Sequence, residues 1–227
     1  MSFEKKMQFV NNIYQIYLLN YEDGQDAYDY LISRGFTEET IELFGYGRTV
    51  KENAIAKSLM NAESSNINDF IAWGLVHVNT AGEAIDFFKG RLMIPIEDEN
   101  GRLVGFSGRT LPHNTHPAKY LNSPESDYFK KRTILYNLHR AKEHIRQQDY
   151  AILMEGYFDV SLAFQNGFRN VIGTMGTALT MENILNLKRY TNNIVIMFDG
   201  DKAGMETALN NAKALMENGF NVKIAFI

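Results

Sequence analysis

The chain has 227 residues, and 45% of them are hydrophobic, which is enough for a sizeable core and argues against wholesale disorder. It contains no cysteine, so disulfides and thiolate zinc sites are excluded, and its formal net charge of −4 argues weakly against nucleic-acid binding. No apolar stretch reaches the roughly 18 residues of a membrane helix, and the N-terminus lacks a signal-peptide pattern, so we expect a soluble cytoplasmic protein without a membrane anchor.

The first 45 residues have the pattern of consecutive helices. Phe9, Ile13, Ile16 and Tyr17 follow a helical spacing in the first of them. A second helix is predicted over residues 26–33. A third is predicted to begin after Thr37 as its N-cap, with two glutamates in its first turn. We interpret these helices as structural support.

The middle of the chain changes to strand patterns. Strands are predicted over residues 91–98 and 102–109, joined by a turn at Glu-Asn-Gly. A long segment rich in Pro, Asn, Ser and His follows and is predicted to be irregular. In it, His113 and His116 are spaced like a metal pair but are interpreted as a solvent-exposed loop. A helix is then predicted over residues 137–147.

Strands and helices alternate strictly after residue 149. Strands are predicted over 150–155, 170–174 and 193–198 and from 221, and helices over 158–166, 181–190 and 203–218. Repeated β–α units with apolar, β-branched strands predict a parallel sheet with helices on both faces. The fold class is therefore α/β. We expect a mixed α+β N-terminal subdomain over 1–148 and a parallel-sheet domain over 149–227.

Charge is distributed unevenly among these regions. Residues 86–146 carry 11 basic and 7 acidic side chains, whereas residues 1–85 carry 6 and 12 and residues 147–227 carry 6 and 8. A basic middle between acidic ends keeps a polyanionic partner possible, because the local field matters more than the sum.

Acidic residues fall at the carboxyl ends of the predicted parallel strands, where ligands collect in such sheets. Glu155 ends one strand, Asp199 and Asp201 follow another, and Asp159 comes four residues after Glu155. Side chains two residues apart on an extended backbone point the same way, and carboxylate oxygens suit Mg²⁺. The pattern predicts a metal site, although an Asp-x-Asp at a strand end is also compatible with a turn or a helix cap.

Three segments here resemble the Toprim domain shared by primases, topoisomerases and some nucleases: EGYFDV at 155–160, GTMGTALT at 173–180 and FDGDKAG at 198–204. Upstream, residues 88–111 and 118–138 and the N-terminal YLISRGFTEETIELFGYG resemble bacterial DnaG-type primases. The resemblance covers nearly the whole chain and consists of several motifs in the right order.

The resemblance implies template-directed synthesis of short RNA primers on single-stranded DNA from ribonucleoside triphosphates, by metal-dependent nucleotidyl transfer. It implies that Glu155, Asp199 and Asp201 are catalytic and that these three and Asp159 hold Mg²⁺, with Mn²⁺ as an alternative. It also implies that Arg109, Lys119, Tyr120 and Lys131 contact template or nucleotide, with Arg91 and Arg102 as weaker candidates. Tyr120 or Phe129 is expected to stack on a base. For each single cation, a solvated surface charge is the alternative.

The chain departs from the family in three ways. Without cysteine it lacks the family's N-terminal zinc-binding domain, and it also lacks the third Toprim motif, Asp-Pro-Asp, and the helicase-binding tail. We therefore expect a fragment that is monomeric, binds no zinc, meets a replicative helicase only through a missing C-terminal domain, and makes primers weakly or not at all by itself. Another Toprim nuclease or topoisomerase, or a non-catalytic module that binds single-stranded DNA or nucleotide, remains the alternative.

Overall fold

The computed structural model describes residues 2–49, 53–61, 67–112 and 117–226. His113 and His116 lie outside the described residues. The chain divides into two compact units. The first comprises residues 1–96 and 103–130, and the second comprises residues 97–102 and 131–227. None of the helices in the described ranges combines the length and apolar character needed to cross a membrane.

The described part of the first unit begins with helices. They are α1 (Phe3–Asn20), α2 (Gln25–Ser33), α3 (Glu38–Leu43), α4 (Ala54–Asn61) and α5 (Ile67–Ala72). Side chains cap the N-termini of α1 and α3. The side chain of Thr37 accepts a hydrogen bond from the backbone N–H of Thr40 at 3.3 Å, which confirms the predicted cap of α3. No sharp sequence pattern predicted α4 and α5.

Helix α1 forms as its spacing predicts, but it buries a different stripe from the one that the spacing singled out. Its buried apolar residues are Met7, Val10, Tyr14 and Leu18. Phe9 is 37% exposed and Ile16 is 47% exposed. Several apolar stripes satisfy a helical period in this helix, and only the packing against the rest of the unit selects one of them.

Two small sheets complete the first unit. The larger has the strand order β1 (Gly47–Arg48), β4 (Arg91–Glu97), β5 (Leu103–Thr110), β6 (Tyr120–Asn122), and the smaller pairs β2 (Val76–Val78) with β3 (Ala84–Asp86). Strands β4 and β5 agree with the prediction to within a residue. Strand β6 lies in the segment predicted to be irregular, where three residues pair antiparallel with β5 and place Tyr120 opposite Arg109.

The second unit has the predicted alternation of strands and helices. Its elements are α6 (Leu138–Gln148), β7 (Ala151–Met154), α7 (Tyr157–Gln165), β8 (Val171–Gly173), α8 (Met181–Leu187), β9 (Asn193–Phe198), α9 (Lys202–Glu217) and β10 (Asn221–Phe226). The sheet order is β10-β9-β7-β8, and its strands are parallel. The parallel sheet predicted from the sequence is confirmed.

Helices cover both faces of this sheet. One face buries Leu153, Ile172 and Ile196 against α6, α8 and α9 in a single apolar cluster. Ile152 and Met154 alternate with that set along β7 and point to the other face, where α7 packs close to β8.

Helix α6 lies in the second unit because its apolar side packs into the core of that unit. Leu138, Ala141 and Ile145 all belong to the apolar cluster beneath the parallel sheet. The compact units therefore divide near residue 130, upstream of α6, whereas the sequence pattern suggested 148. The domain boundary at residue 148 remains a prediction, because the compact units are defined by contacts within the structure.

Candidate active site

Adjacent strands of the second unit bring the predicted acidic residues to one edge of the sheet. Glu155 directly follows β7, and Asp199 directly follows β9. Strands β7 and β9 are parallel neighbours, with Leu153 opposite Ile196. Continuing that register by two residues on each strand places Glu155 beside Phe198, one residue before Asp199. We call Glu155, Asp159, Asp199 and Asp201 the acidic rim.

The acidic rim lies where the direction of strand addition reverses. From β7 the chain adds β8 on one side and then returns to add β9 and β10 on the other side. In open parallel sheets such a reversal opens a crevice beyond the carboxyl ends of the two central strands, and ligands bind in that crevice. Glu155 and Asp199 follow those two strands.

The four carboxylates share one electrostatic environment. The pKa of Glu155 is raised, first by burial and then by the negative charges of Asp199, Asp201 and Asp159. Like charges at short range make ionisation of each carboxyl less favourable, and a bound cation removes that penalty. The acidic rim is therefore chemically suited to a cation.

Asp201 also has the structural role that the sequence left open as an alternative. It is the N-cap of α9, and one of its carboxylate oxygens accepts a hydrogen bond from the backbone N–H of Gly204 at 2.7 Å. A carboxylate has further lone pairs available after accepting one such bond. Capping therefore fixes the orientation of Asp201 without using all of its oxygen acceptors.

Glycines allow the backbone to come close to the acidic rim. A Cβ atom at Gly204 would lie 2.3 Å from the carbonyl oxygen of Asp199, and one at Gly156 would lie 2.4 Å from a carboxylate oxygen of Asp159. Real Cβ atoms do not approach other atoms so closely. The start of α9 can therefore lie against the Asp199 loop only because residue 204 has no side chain.

The acidic rim does not form a closed protein cage for a metal. Among the described residues, no group of three or more His, Asp or Glu side chains is arranged so that it could hold a metal ion. Mg²⁺ is nevertheless commonly bound through one or two carboxylates together with water and phosphate oxygens. The all-oxygen donor set fits that mode of binding, in which the substrate completes the coordination.

The loop after β8 is attached to the backbone of Glu155. The backbone N–H of Gly176 donates to the carbonyl of Glu155 at 3.1 Å, and that of Thr174 donates to the carbonyl of Met154 at 3.1 Å. Met175 has a φ of 56°, which is uncommon for a residue with a side chain. The sequence pattern does not predict these bonds between the loop and the strand that ends at Glu155.

The first unit brings together two of the residues that were predicted to contact template or nucleotide. Arg109 in β5 is paired with Tyr120 in β6, and its guanidinium donates a hydrogen bond to the hydroxyl of Tyr120. Lys119 precedes Tyr120 and is exposed. Tyr30 of α2 also contacts Arg109, across 79 residues of sequence. No sequence spacing connects those two residues, and the only signal for Tyr30 was its position at the start of YLISRG.

The remaining predicted contact residues have different environments. Arg91 is only 2% exposed, and its guanidinium donates to the carbonyls of Gly108 and Ala118, so its position favours a structural role. Arg102 is exposed and pairs with Asp98 at 2.7 Å. Lys131 lies half-buried at the start of a short 3-10 turn.

Phe129 does not fit the predicted role of stacking on a base. Its side chain is 1% exposed, because it packs inside the first unit against Gly105. Its neighbour Tyr128 is 50% exposed. Tyr128 is stacked on Phe3, with ring centroids 3.7 Å apart. The burial of Phe129 leaves Tyr120 as the predicted residue that could stack on a base.

Family models match both parts of the chain. Residues 14–142 match the N-terminal domain of the DNA primase catalytic core, and residues 149–226 match the Toprim domain. The two matches together cover most of the chain, and the first ends at residue 142 while the second begins at residue 149.

Curated relatives with similar sequences are DNA primases. The DNA primase of Staphylococcus epidermidis is 37% identical over 218 residues, which is 96% of this chain and 36% of the relative. The DNA primase of Thermotoga maritima is 33% identical over 221 residues, which is 97% of this chain and 39% of the relative. The chain thus spans less than half of the length of these relatives.

Solved structures with a similar fold are primase domains. A DNA primase domain from Pseudomonas aeruginosa has a TM-score of 0.90 and 33% identity, covering 99% of this chain and 70% of that one. The Aquifex aeolicus primase, with zinc-binding and RNA polymerase domains, has a TM-score of 0.89 and 32% identity, covering 99% and 54%. A DnaG primase catalytic domain bound to single-stranded DNA has a TM-score of 0.84 and 33% identity, covering 99% and 70%.

Proposed function

The chain belongs to the family of bacterial DnaG-type DNA primases, and we propose that it is a catalytic core for template-directed synthesis of short RNA primers on single-stranded DNA. The observation that carries the proposal is the acidic rim. Its carboxylates follow two adjacent parallel strands at the point where the strand order reverses. Burial and the neighbouring negative charges both raise the pKa of Glu155. This donor set suits metal-dependent nucleotidyl transfer.

In this proposal Glu155, Asp199 and Asp201 hold Mg²⁺ or Mn²⁺, and Asp159 assists from the first turn of α7. The bound ion would stabilise negative charge on the reacting phosphate and lower the pKa of the attacking 3′-hydroxyl. Asp201 is held in place by its bond to the N–H of Gly204. Glu155, whose pKa is raised, keeps a proton at a higher pH than an ordinary carboxyl until a cation binds.

Template and nucleotide phosphates are proposed to bind to cationic side chains. Arg109, Lys119 and Lys131 are the proposed phosphate contacts, and Tyr120 is the proposed base or sugar contact. Arg102 contributes less, since it is exposed and paired with Asp98. Arg91 supports Arg109 indirectly, because its guanidinium donates to the carbonyl of Gly108, the preceding residue of β5. A DnaG catalytic domain of similar fold binds single-stranded DNA, which supports that partner for this chain.

The partners and setting follow from the same proposal. Ribonucleoside triphosphates are the proposed substrates, and a cytoplasmic monomer is the proposed working state. No described residue is assigned to a replicative helicase.

The test measures RNA products on a single-stranded DNA template with the four ribonucleoside triphosphates and Mg²⁺ or Mn²⁺. The chain is assayed by itself and in a hybrid in which it replaces the matching 218-residue segment of the Staphylococcus epidermidis DNA primase. We expect template-dependent RNA from the hybrid, and weak product or none from the chain by itself. Asp199→Asn in the hybrid is expected to reduce product by about 100-fold or more, since metal binding is lost.

The matched control is Glu217→Gln, which removes an exposed charge at the far end of α9 and is expected to leave product unchanged. DNA cleavage in the absence of ribonucleotides would instead indicate a nuclease. Salt-sensitive, metal-independent DNA binding with no product in the hybrid would indicate a binding module. Full activity of Asp199→Asn would remove Asp199 from the site.

A further inference from the structure

Arg109 lies between two tyrosine rings that come from distant parts of the first unit. Its Cζ atom is 5.3 Å from the ring centroid of Tyr30 and 5.1 Å from that of Tyr120. The residue is only 9% exposed. A guanidinium held against aromatic faces is attracted by the rings and loses much of its freedom to rotate.

Hydrogen bonds fix the same guanidinium at two separate nitrogens. One terminal nitrogen donates to the hydroxyl of Tyr120, and the other donates to the hydroxyl of Tyr30 at 2.5 Å. Two bonds at different corners of a planar group determine its orientation, whereas a single bond would leave it free to swing. Both acceptors are neutral phenols, so these two bonds do not cancel the positive charge of Arg109.

Tyr30 is itself held by a rigid helix. On α2, Ala27 and Leu31 are fully buried. Asp26, one turn before Tyr30, accepts two hydrogen bonds from the buried guanidinium of Arg48 at 3.1 and 2.8 Å. The Arg48–Asp26 pair ties α2 to strand β1, so the ring and hydroxyl of Tyr30 approach Arg109 from a fixed support.

We propose that Tyr30 is a positioning residue that fixes the guanidinium of Arg109 in the orientation in which it binds a nucleic-acid phosphate. The inference rests on the proposed function, in which Arg109 contacts template or nucleotide phosphate. Tyr120 already has a proposed contact role, whereas Tyr30 acts only through Arg109. A group held in advance loses less conformational freedom on binding, so the loss of Tyr30 weakens binding even though the charge of Arg109 remains.

The test is the affinity of the full chain for a fluorescein-labelled oligodeoxythymidine of about 16 nucleotides, measured by anisotropy at several salt concentrations. We expect Arg109→Ala to weaken binding about 10-fold and to lower the slope of log K against log salt by about 0.7, the value for one phosphate contact on a single strand. Tyr30→Leu is expected to weaken binding about fivefold. Tyr30→Phe, which keeps the ring and loses the hydroxyl, is expected to weaken it about twofold.

The decisive measurement is the double variant, because positioning and independent packing predict different results. If Tyr30 acts through Arg109, Arg109→Ala with Tyr30→Phe or Tyr30→Leu binds no more weakly than Arg109→Ala by itself. Tyr28→Phe is the matched control on the same helix, where the hydroxyl bonds Glu38, and its affinity is expected to equal that of the unmodified chain.

The outcomes separate this inference from the proposed function. Unchanged affinity in Arg109→Ala would show that Arg109 does not contact phosphate, and both proposals for that residue would fall. If Arg109→Ala weakens binding while both Tyr30 variants bind normally, only the role of Tyr30 is overturned. Additive losses in the double variant would overturn it as well. If Tyr30→Leu does not fold, Tyr30→Phe decides the question by the same comparison.

Discussion

Arg91 and Arg109 of the first unit and the acidic rim of the second unit are stabilised in opposite ways. Arg91 and Arg109 are buried and donate to neutral carbonyl and hydroxyl groups that hold them in one orientation. The acidic rim places carboxylates beside each other so that their charges raise the pKa of Glu155. Hydrogen bonds within the protein therefore order the two arginines, whereas the acidic rim carries an electrostatic penalty that a bound cation would remove.

The difference follows from what each region is proposed to bind. A cation that is to bind phosphate keeps its charge if its supports are neutral, because a carboxylate partner would compete with the ligand. A metal site instead requires anionic oxygens, and their mutual repulsion is what the metal relieves. We therefore expect removal of the Arg91 charge to destabilise the first unit and removal of the Glu155 charge to stabilise the second.

The largest effect is expected for Arg91→Met, which keeps an apolar stem and removes the guanidinium. Three hydrogen bonds from the guanidinium would be lost, to the carbonyls of Gly108 and Ala118 and to the hydroxyl of Thr110, and a bond from a charged donor contributes about 1.5–3 kcal/mol. We expect the free energy of unfolding to fall by about 4 kcal/mol. Urea unfolding followed by fluorescence of Trp73, the single tryptophan, reports on the first unit. Lys89→Met, at an exposed position of the same unit, is the control and should change the free energy of unfolding by at most about 0.5 kcal/mol.

Gly204→Ala tests the close backbone contact beneath the acidic rim. The added Cβ would lie 2.3 Å from the carbonyl oxygen of Asp199, so the loop or the start of α9 must move. We expect a loss of about 3 kcal/mol, measured by hydrogen exchange in β9, together with weaker Mn²⁺ binding. Asn210→Ala on the exposed side of α9 is the control and should alter neither. Normal Mn²⁺ affinity in Gly204→Ala would show that the glycine does not support the rim.

His139 gives the second unit a pH dependence that is independent of the acidic rim. Burial lowers its pKa to about 4, with further lowering by Arg140 and Lys142. Between pH 4 and 6.5 the unfolded chain binds a proton that the folded chain does not, so stability rises with pH across this window. We expect a rise of about 2 kcal/mol relative to His139→Gln, measured by hydrogen exchange in β7. Parallel curves for the two proteins would contradict the neutral buried imidazole.

The smallest expected effect is a gain in stability from Glu155→Gln. Removing one of the repelling charges is expected to stabilise the metal-free protein by about 0.5–1 kcal/mol, since solvent screens the partly exposed group. Thermal unfolding in EDTA measures the gain. Added Mn²⁺ should narrow the difference in stability between the variant and the unmodified chain, because it stabilises the unmodified chain more. A variant less stable than the unmodified chain in EDTA would contradict the repulsion.

Local patterns predicted most of the second unit correctly. The apolar runs of β7 and β9 and the helices between them appear as expected, and Glu155, Asp199 and Asp201 follow the ends of those strands. Each of these features depends on residues close together in sequence. A strand that is buried on both faces needs an apolar run, and the residue after it necessarily lies at the edge of the sheet.

The first unit was predicted less completely because its important contacts join distant residues. The buried side of α1, the short strand β6 and the contact between Tyr30 and Arg109 each depend on a partner far away in the chain. The same holds for Arg91, a weaker candidate for a ligand contact, whose burial and hydrogen bonds to Gly108 and Ala118 were not predicted.

The sequence by itself determined the order and type of most elements, the parallel sheet and the family to which the chain belongs. The tertiary structure decided which arginine is buried, which aromatic residue is exposed and which tyrosine holds Arg109. The physical reason is that propensity and periodicity act over a few neighbouring residues, whereas burial and hydrogen bonding of a long polar side chain depend on whatever the fold places around it.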